Sequence, residues 1–290
     1  MRQLSKLRKD LHFNQEMGGI INVLKGVAAT EFHRLQKARK TLDQFADYLQ
    51  GFFKMLEVPE LSHPYLDQSN SPGALLIITS DSGFLGKLNI AVVDQALSLY
   101  TGREKLIVVG QQGSHYLEET GVRFSAMGGI SEEIEYKEAQ RLANYITQNC
   151  LNKKIGQTTI VYPHFVSFAV WQTKIFQLLP CRFLFPQPPE APGENINREE
   201  ETIVEPDKQQ ALEYLVKIWI SYLVYGIFWE SKLSEWAARV MHLERSSDEI
   251  KRTDKKLHWQ YFRSLHEISD KNIREIVSAR IAAQRGRGRG

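Results

Sequence analysis

Cysteine is scarce in this sequence. Two residues, Cys150 and Cys181, cannot make a disulfide framework, which predicts a chain that works in a reducing setting. The opening stretch MRQLSKLRKDLHFNQE lacks the apolar core of a secretory leader, so none is expected. Long hydrophobic runs are missing too. The greasiest stretch, YLVKIWISYLVYGIFW (214–229), is shorter than the roughly 20 residues that span a bilayer and is interrupted by Lys217, so it reads as a buried helix. Neither charge sign dominates: 37 basic and 34 acidic residues make no general case for nucleic acid. What remains, 42% hydrophobic and 24% charged, suits a folded chain with a proper core.

The patterns of a reaction centre are also absent. ITSDSGFLGKLN (78–89) resembles a phosphate-binding loop at first glance, with an apolar strand leading into two glycines and a lysine. Only Phe84 and Leu85 separate Gly83 from Gly86, however, and Lys87 is followed by Leu88, where a P-loop needs four intervening residues and Lys-Ser or Lys-Thr. No G-x-G-x-x-G or G-x-S-x-G occurs. The eight histidines are scattered, without zinc-ligand spacing. Cys150, on an expected helix, reads as a packed thiol. No cofactor and no metal is expected.

Proline is confined to the middle. All ten prolines lie between Pro59 and Pro206, so the two ends are free to form long helices. In the first, Met17, Ile21, Leu24, Ala28, Glu31, Leu35, Ala38, Leu42, Phe45, Leu49 and Phe52 step alternately by four and three, and all but Glu31 are apolar. A repeat near 3.5 residues is a coiled-coil seam and needs a partner helix. The last segment offers one: residues 208–283 contain a single glycine, Gly226, and carry Leu233, Ala237, Val240, Phe262, Leu265, Ile273 and Ile276 at helical spacings. Helices of about 75 and about 50 residues would run roughly 110 and 75 Å, too long to bury in one globule, so the two are expected to pair and project. Gly18, Gly19, Gly26, Ala28 and Ala29 would allow close approach, either as simple packing or as deliberate loosening, since each interior glycine weakens a helix by about 1 kcal/mol.

Between the helices, ALLIITS (74–80), KLIVVG (105–110) and TTIVYP (158–163) read as strands covered on both faces. Helical patterns at Leu88–Tyr100 and Glu132–Cys150 alternate with them, the order of a mostly parallel sheet. FVSFAVWQTKIFQLLP (165–180) is a final long strand or a hairpin. The expected fold class is therefore α/β plus coiled coil: a long antiparallel two-helix coiled coil from both termini, with a central Rossmann-like α/β domain. The expected divisions are 1–57 (first helix), 58–185 (α/β domain), 186–207 (linker), 208–284 (last helix) and 285–290, a disordered Arg/Gly tail.

On this architecture the loop resembles a known family. TSDSGFLGKLN (79–89) is similar to the S-T-D-R-G-L-C-G-G-L-N region of F-type ATP synthase gamma subunits, matching at Asp81, Gly83, Gly86, Leu88 and Asn89. SEWAAR (234–239) resembles the family's S-E-x-A-A-R, REIVS (274–278) its T-E-I-V-S, VAAT (27–30) its V-A-A-S and EPD (205–207) its E-P-D. The resemblance covers essentially the whole chain. It implies a central-stalk rotor with no catalytic site of its own. Its partners would be the alpha and beta subunits of a hexameric ring, the epsilon subunit and the membrane c ring. Its place would be the cytoplasmic face of the inner (plasma) membrane, held peripherally, with no membrane insertion and no nucleic acid.

Site residues follow from the same resemblance. Arg8, Leu24, Lys25, Arg239, Arg252, Lys255 and Glu275 are expected contacts with the ring, Arg239 and Glu275 by direct carry-over. Asp81, Gly83, Gly86, Lys87 and Asn89 are expected at the domain and stalk base, the two glycines making a tight turn. The basic run 239–263 reads either as a solvated face or as an electrostatic contact with acidic ring surfaces. LHEISDKNI (265–273) departs from the family's R-Q-x-x-I-T-x-E-L at His266, Asp270 and Asn272, which points to an alternate F-type ATPase. The readings from other classes are a coiled-coil adaptor with a ligand-binding α/β domain and an α/β enzyme with an unfamiliar site.

Overall fold

The computed structural model describes residues 2–39, 62–67, 70–167, 170–184 and 207–287. Leu42, Phe45, Leu49 and Phe52 of the expected seam, the linker 186–206 and residues 288–290 lie outside them.

β1 (Ala74–Ile78) is the centre of the fold, and all five of its residues are buried. Strand geometry sends alternate side chains to opposite faces, so an unbroken apolar run needs a layer on each side. Both layers are present. Leu75 and Ile77 point into one core with Leu106, Val108 and Val161, beneath Val92, Val93, Ala96 and Leu117. Leu76 and Ile78 point into the other with Ile107, Val109 and Ile160, against Leu142, Ile146, Val216, Ile220 and Val224.

The chain runs α1 (Arg2–Arg39), β1, α2 (Leu88–Leu99), β2 (Lys105–Val109), α3 (Gln111–Thr120), β3 (Phe124–Met127), α4 (Tyr136–Leu151), β4 (Thr158–Ser167), β5 (Val170–Leu179), a 3-10 turn (Arg182–Leu184) and α5 (Lys208–Arg287). The sheet order is β3-β2-β1-β4-β5. β1 pairs in parallel with β2 and β4, and β2 with β3, whereas β5 is antiparallel to β4. From β1 the chain winds outward to β2 and β3, then crosses to β4 on the other side. Right-handed crossovers therefore place α2 and α3 on one face and α4 on the other, and the winding reverses between β1 and β4.

The 165–180 stretch resolves as the hairpin. β4 runs through Pro163 to Ser167, because Pro163 lies beyond Val161, the last residue paired to β1. α3 and β3 were not anticipated. β3 is a four-residue edge strand without a fully buried position, and α3 carries Gly113 in its first turn. That glycine has a tertiary cause: a Cβ there would lie 2.5 Å from Thr79 Oγ1.

By contacts the chain divides into a helical unit, residues 1–27 with 240–290, and a domain unit, residues 28–239. The end helices were expected to pair throughout. Instead the first part of α5 is a layer of the domain: Leu212, Val216, Ile220, Val224 and Ile227, spaced by fours and a three, are buried against the sheet. α5 continues helically to Arg287, past the expected start of the tail.

Within the helical unit α1 and α5 are antiparallel. Asn14 Nδ2 donates to the Ile250 carbonyl (3.1 Å), Ser247 Oγ to Asn22 Oδ1 (3.3 Å), and Lys25 Nζ pairs with Glu244 (2.8 Å). The seam differs from the expected one at alternate positions. Leu11, Asn14, Gly18, Ile21 and Lys25 face inward, followed in the domain unit by Ala28, Phe32 and Leu35, while Leu24 is 42% exposed. Hydropathy alone favours Met17 and Leu24. The register instead uses Gly18, whose Cβ position lies 3.3 Å from Ile250, and Lys25, whose charge is answered across the seam.

Gly110 ends β2 at φ +102°, and a Cβ there would meet the Thr79 carbonyl oxygen at 2.3 Å. Gly110→Ala should therefore destabilise by about 2–5 kcal/mol, combining backbone strain with overpacking. Gly121→Ala, at φ +71° with open space, should cost about 1–2 kcal/mol. Urea midpoints of the two variants check the order.

Candidate functional site

The loop after β1 is built from its own side chains. Ser80 N–H donates to Asn89 Oδ1 (3.1 Å), Asn89 Nδ2 to Ser80 Oγ (2.8 Å), and Ser80 Oγ to the Ser82 carbonyl (2.9 Å). Asn89 thus closes the loop from the first turn of α2. Asp81 reaches the other way. Its Oδ1 accepts the Gln111 N–H (2.9 Å), giving α3 the anionic cap that Gly110 has no side chain to supply. The Asp81 carboxylate fills the space where Gly129 would carry a Cβ. Phe84 and Gly86 turn the backbone through φ of +62° and +61°. Gly83, Phe84, Gly86 and Lys87 are exposed, and Leu85 and Leu88 are buried.

Leu85 and Leu88 are covered by α5. They form a small core with Ala238 and Trp171, and Ser234 Oγ donates to the Pro163 carbonyl, past the parallel part of β4 (3.1 Å). In an open α/β sheet, ligands bind outside the carboxyl ends of the strands where the winding reverses. Here that crevice, between β1 and β4, contains residues 234–239 of α5.

Glu235 is the polar centre of this contact. It is 3% exposed, and its carboxylate accepts from Ser82 Oγ (2.9 Å) and Arg239 Nη2 (2.7 Å), with Lys232 Nζ at 3.3 Å. Arg239 Nη2 also reaches Ser82 Oγ (2.5 Å), and its guanidinium lies 4.1 Å from the Trp236 ring centroid. Lys232 is nearly buried, with Glu132 at 4.0 Å as its other carboxylate. One buried anion therefore holds two cations, and removing it would cost about 3–5 kcal/mol. Two more polar contacts fasten α5 to the domain: His164 Nδ1 with Glu230 (2.5 Å), and His63 Nε2 with Glu213 (3.2 Å).

The expected ring contacts fall into two groups. Arg239 and Lys25 are engaged inside the chain. Arg252, Lys255 and Glu275 are exposed, with Lys271 3.9 Å from Glu275. Arg8 is exposed and lines a cleft of about 550 Å³ with Lys9, His12 and His258. Sequence reasoning missed an outward apolar stripe on α1: Phe13, Ile20, Val23 and Val27, with Leu24, are all exposed. Trp259, Phe262, Ile273 and Ile276 are exposed on α5. It also missed Ser82, Lys232 and Glu235. The spacing of Glu235 and Arg239, i and i+4 on one helix face, was the available signal.

A model of the ATP synthase family matches residues 3–282. The chain belongs to this family. Curated relatives include the ATP synthase gamma chains of Staphylococcus epidermidis, 23% identical over 98% of this chain and 100% of the relative, and of Pelotomaculum thermopropionicum, 25% identical with the same coverage. Among solved structures, this gamma-family chain resembles one in the Euglena gracilis mitochondrial ATP synthase (OSCP/F1/c-ring, rotational state 3) at TM-score 0.73 and 16% identity, covering 99% of this chain and 97% of that one. It also resembles one in the Tetrahymena thermophila central stalk and c-ring, at 0.60 and 22%, covering 79% and 99%.

Both thiols sit under a single turn of the domain. Cys150 Sγ lies 3.4 Å from the Pro64 carbonyl and Cys181 Sγ 3.2 Å from that of Tyr65. Burial pushes the Cys150 thiol up to about 11 and the Cys181 thiol up to about 12. A disulfide reagent at pH 8 should find essentially no reactive thiol in the folded chain and both after unfolding. Stoichiometric labelling of the native form would contradict this burial.

Proposed function

We infer that this chain is the central-stalk rotor (gamma) subunit of an F-type ATP synthase. It couples ion flow through a membrane c ring to ATP synthesis or hydrolysis on an alpha/beta ring, with no catalytic site of its own. The observation that carries this is the family match over residues 3–282, nearly the whole chain. The geometry supports it, because the crevice where a doubly wound domain would take a ligand contains the chain's own helix. Against the adaptor and enzyme readings, that leaves the α/β domain without its usual ligand position.

The proposed partners are the alpha and beta subunits, the epsilon subunit and the c ring. The complex lies peripheral to a membrane, and its cytoplasmic face is the proposed side. The helical unit supplies the ring-facing surface. Arg8, Leu24, Arg252, Lys255 and Glu275 are the contact residues, joined by Phe13, Ile20, Val23 and Val27. Gly83, Gly86 and Lys87 form the contact at the domain, supported from behind by Asp81 and Asn89. The expected divisions carry over with one revision: residues 208–239 act with the α/β domain.

Native mass spectrometry of the chain isolated from its own cells tests this reading. The expected species contains three alpha, three beta and one copy of this chain, and the identities of the alpha and beta peptides distinguish a main from an alternate ATPase. A monomer, or a complex with unrelated proteins, would overturn it. In the same assay Leu24→Asp, a change at an outward position, should weaken retention of the ring by about tenfold.

A further inference from the structure

A rotor with a folded domain on a long helix must keep the domain from turning about that helix. Apolar burial is itself non-directional and fixes the angle only through the fit of the packed side chains. Directional bonds between buried charged groups fix the angle. Besides the Ser234 bond to the Pro163 carbonyl and the longer Lys232–Glu132 pair, three polar side-chain contacts among the described residues tie α5 to the rest of the domain: His63–Glu213, His164–Glu230 and Ser82–Glu235–Arg239. They differ in burial. The His63 side chain is 1% exposed but its partner Glu213 is at 38%, and the His164 and Glu230 side chains are at 26% and 18%, whereas both charged partners of the third contact are shielded, Glu235 at 4% and Arg239 at 12%.

The third contact is also placed differently along the chain. Arg239 is the last residue of the domain unit, and Val240 begins the helical unit. Ser82, Glu235 and Arg239 thus grip α5 in the last turns before the helix leaves the domain. Ser82 belongs to a loop that cannot yield easily, held by the Ser80–Asn89 pair and by Asp81 on the first turn of α3.

We propose that Glu235 is a positioning residue for rotary coupling, locking the loop 79–89 to α5 through Ser82 and Arg239 so that twist in the domain passes into the helix. This rests on the central-stalk reading. Glu235 touches no nucleotide and no ion pathway. It acts by holding the angle between loop and helix, and the Arg239 guanidinium, stacked on Trp236 and bonded to both Ser82 and Glu235, closes the triangle.

The test uses the complete ATP synthase in membrane vesicles and measures ions pumped per ATP hydrolysed, together with the amount of assembled complex. Ser82→Ala removes only the loop's side of the triangle and leaves the pairs within α5 intact, so it carries the test if Glu235→Gln does not assemble. In both variants the pumping-to-hydrolysis ratio should fall about threefold or more, within the range of coupling changes made by residues that touch neither ligand. Ser82→Thr, which keeps the hydroxyl, should restore it. A merely structural role would lower the amount of complex and leave the ratio unchanged. An unchanged ratio in assembled Ser82→Ala complexes overturns the proposal. Unaltered chain that assembles with no alpha/beta ring would instead overturn the central-stalk reading itself.

Discussion

One helix has to satisfy two unlike neighbours. Through Leu212, Val216, Ile220, Val224 and Ile227, α5 presents an apolar stripe to the sheet and, together with α4, buries Leu76, Ile78 and Ile160. Farther along, the same helix has to meet α1. The sheet accepts a broad aliphatic face, while the second helix demands a narrow seam with tight register. The change of neighbour falls near residues 234–240. There the sequence replaces large aliphatic residues with Ser234, Glu235, Ala237, Ala238 and Arg239, and hydrogen bonds replace bulk packing.

The loop after β1 is the domain's side of that change. Its polar residues are spent on internal scaffolding: Ser80 on Asn89, Asp81 on α3, Ser82 on Glu235. The seam of the helical unit follows the same logic. Asn14 and Lys25 stand at inward positions because each has a named partner on α5, at Ile250 and Glu244. An inward polar residue with a matching partner specifies register more sharply than another leucine would. The exposed apolar residues of the unit, among them Ile20 and Val23, are thereby left facing away from the seam.

The sequence was readable where local chemistry and tertiary fate agree. ALLII and KLIVV declare strands covered on both faces, and the proline-free ends declare long helices. It was opaque where a distant residue decides. Gly113 looks like a defect in a helix until Thr79 is seen against it, and Leu24 looks like a seam residue until Lys25 is seen paired with Glu244. Glu235 and Arg239 were visible as a helical pair. Their third partner, Ser82, is 153 positions from Glu235 in sequence, beyond the reach of any periodicity. Asp81 carried a recognisable motif, yet its work, capping a helix that begins thirty residues later, follows only from the topology.

The helix in the switch-point crevice also bears on what such a domain can bind. Doubly wound sheets usually leave that opening to a small molecule. With Leu85, Leu88 and Ala238 packed there, ligand and helix exclude each other. A variant that took a ligand there would have to expel residues 234–239 of α5, so ligand binding and the helix's anchorage compete for one place.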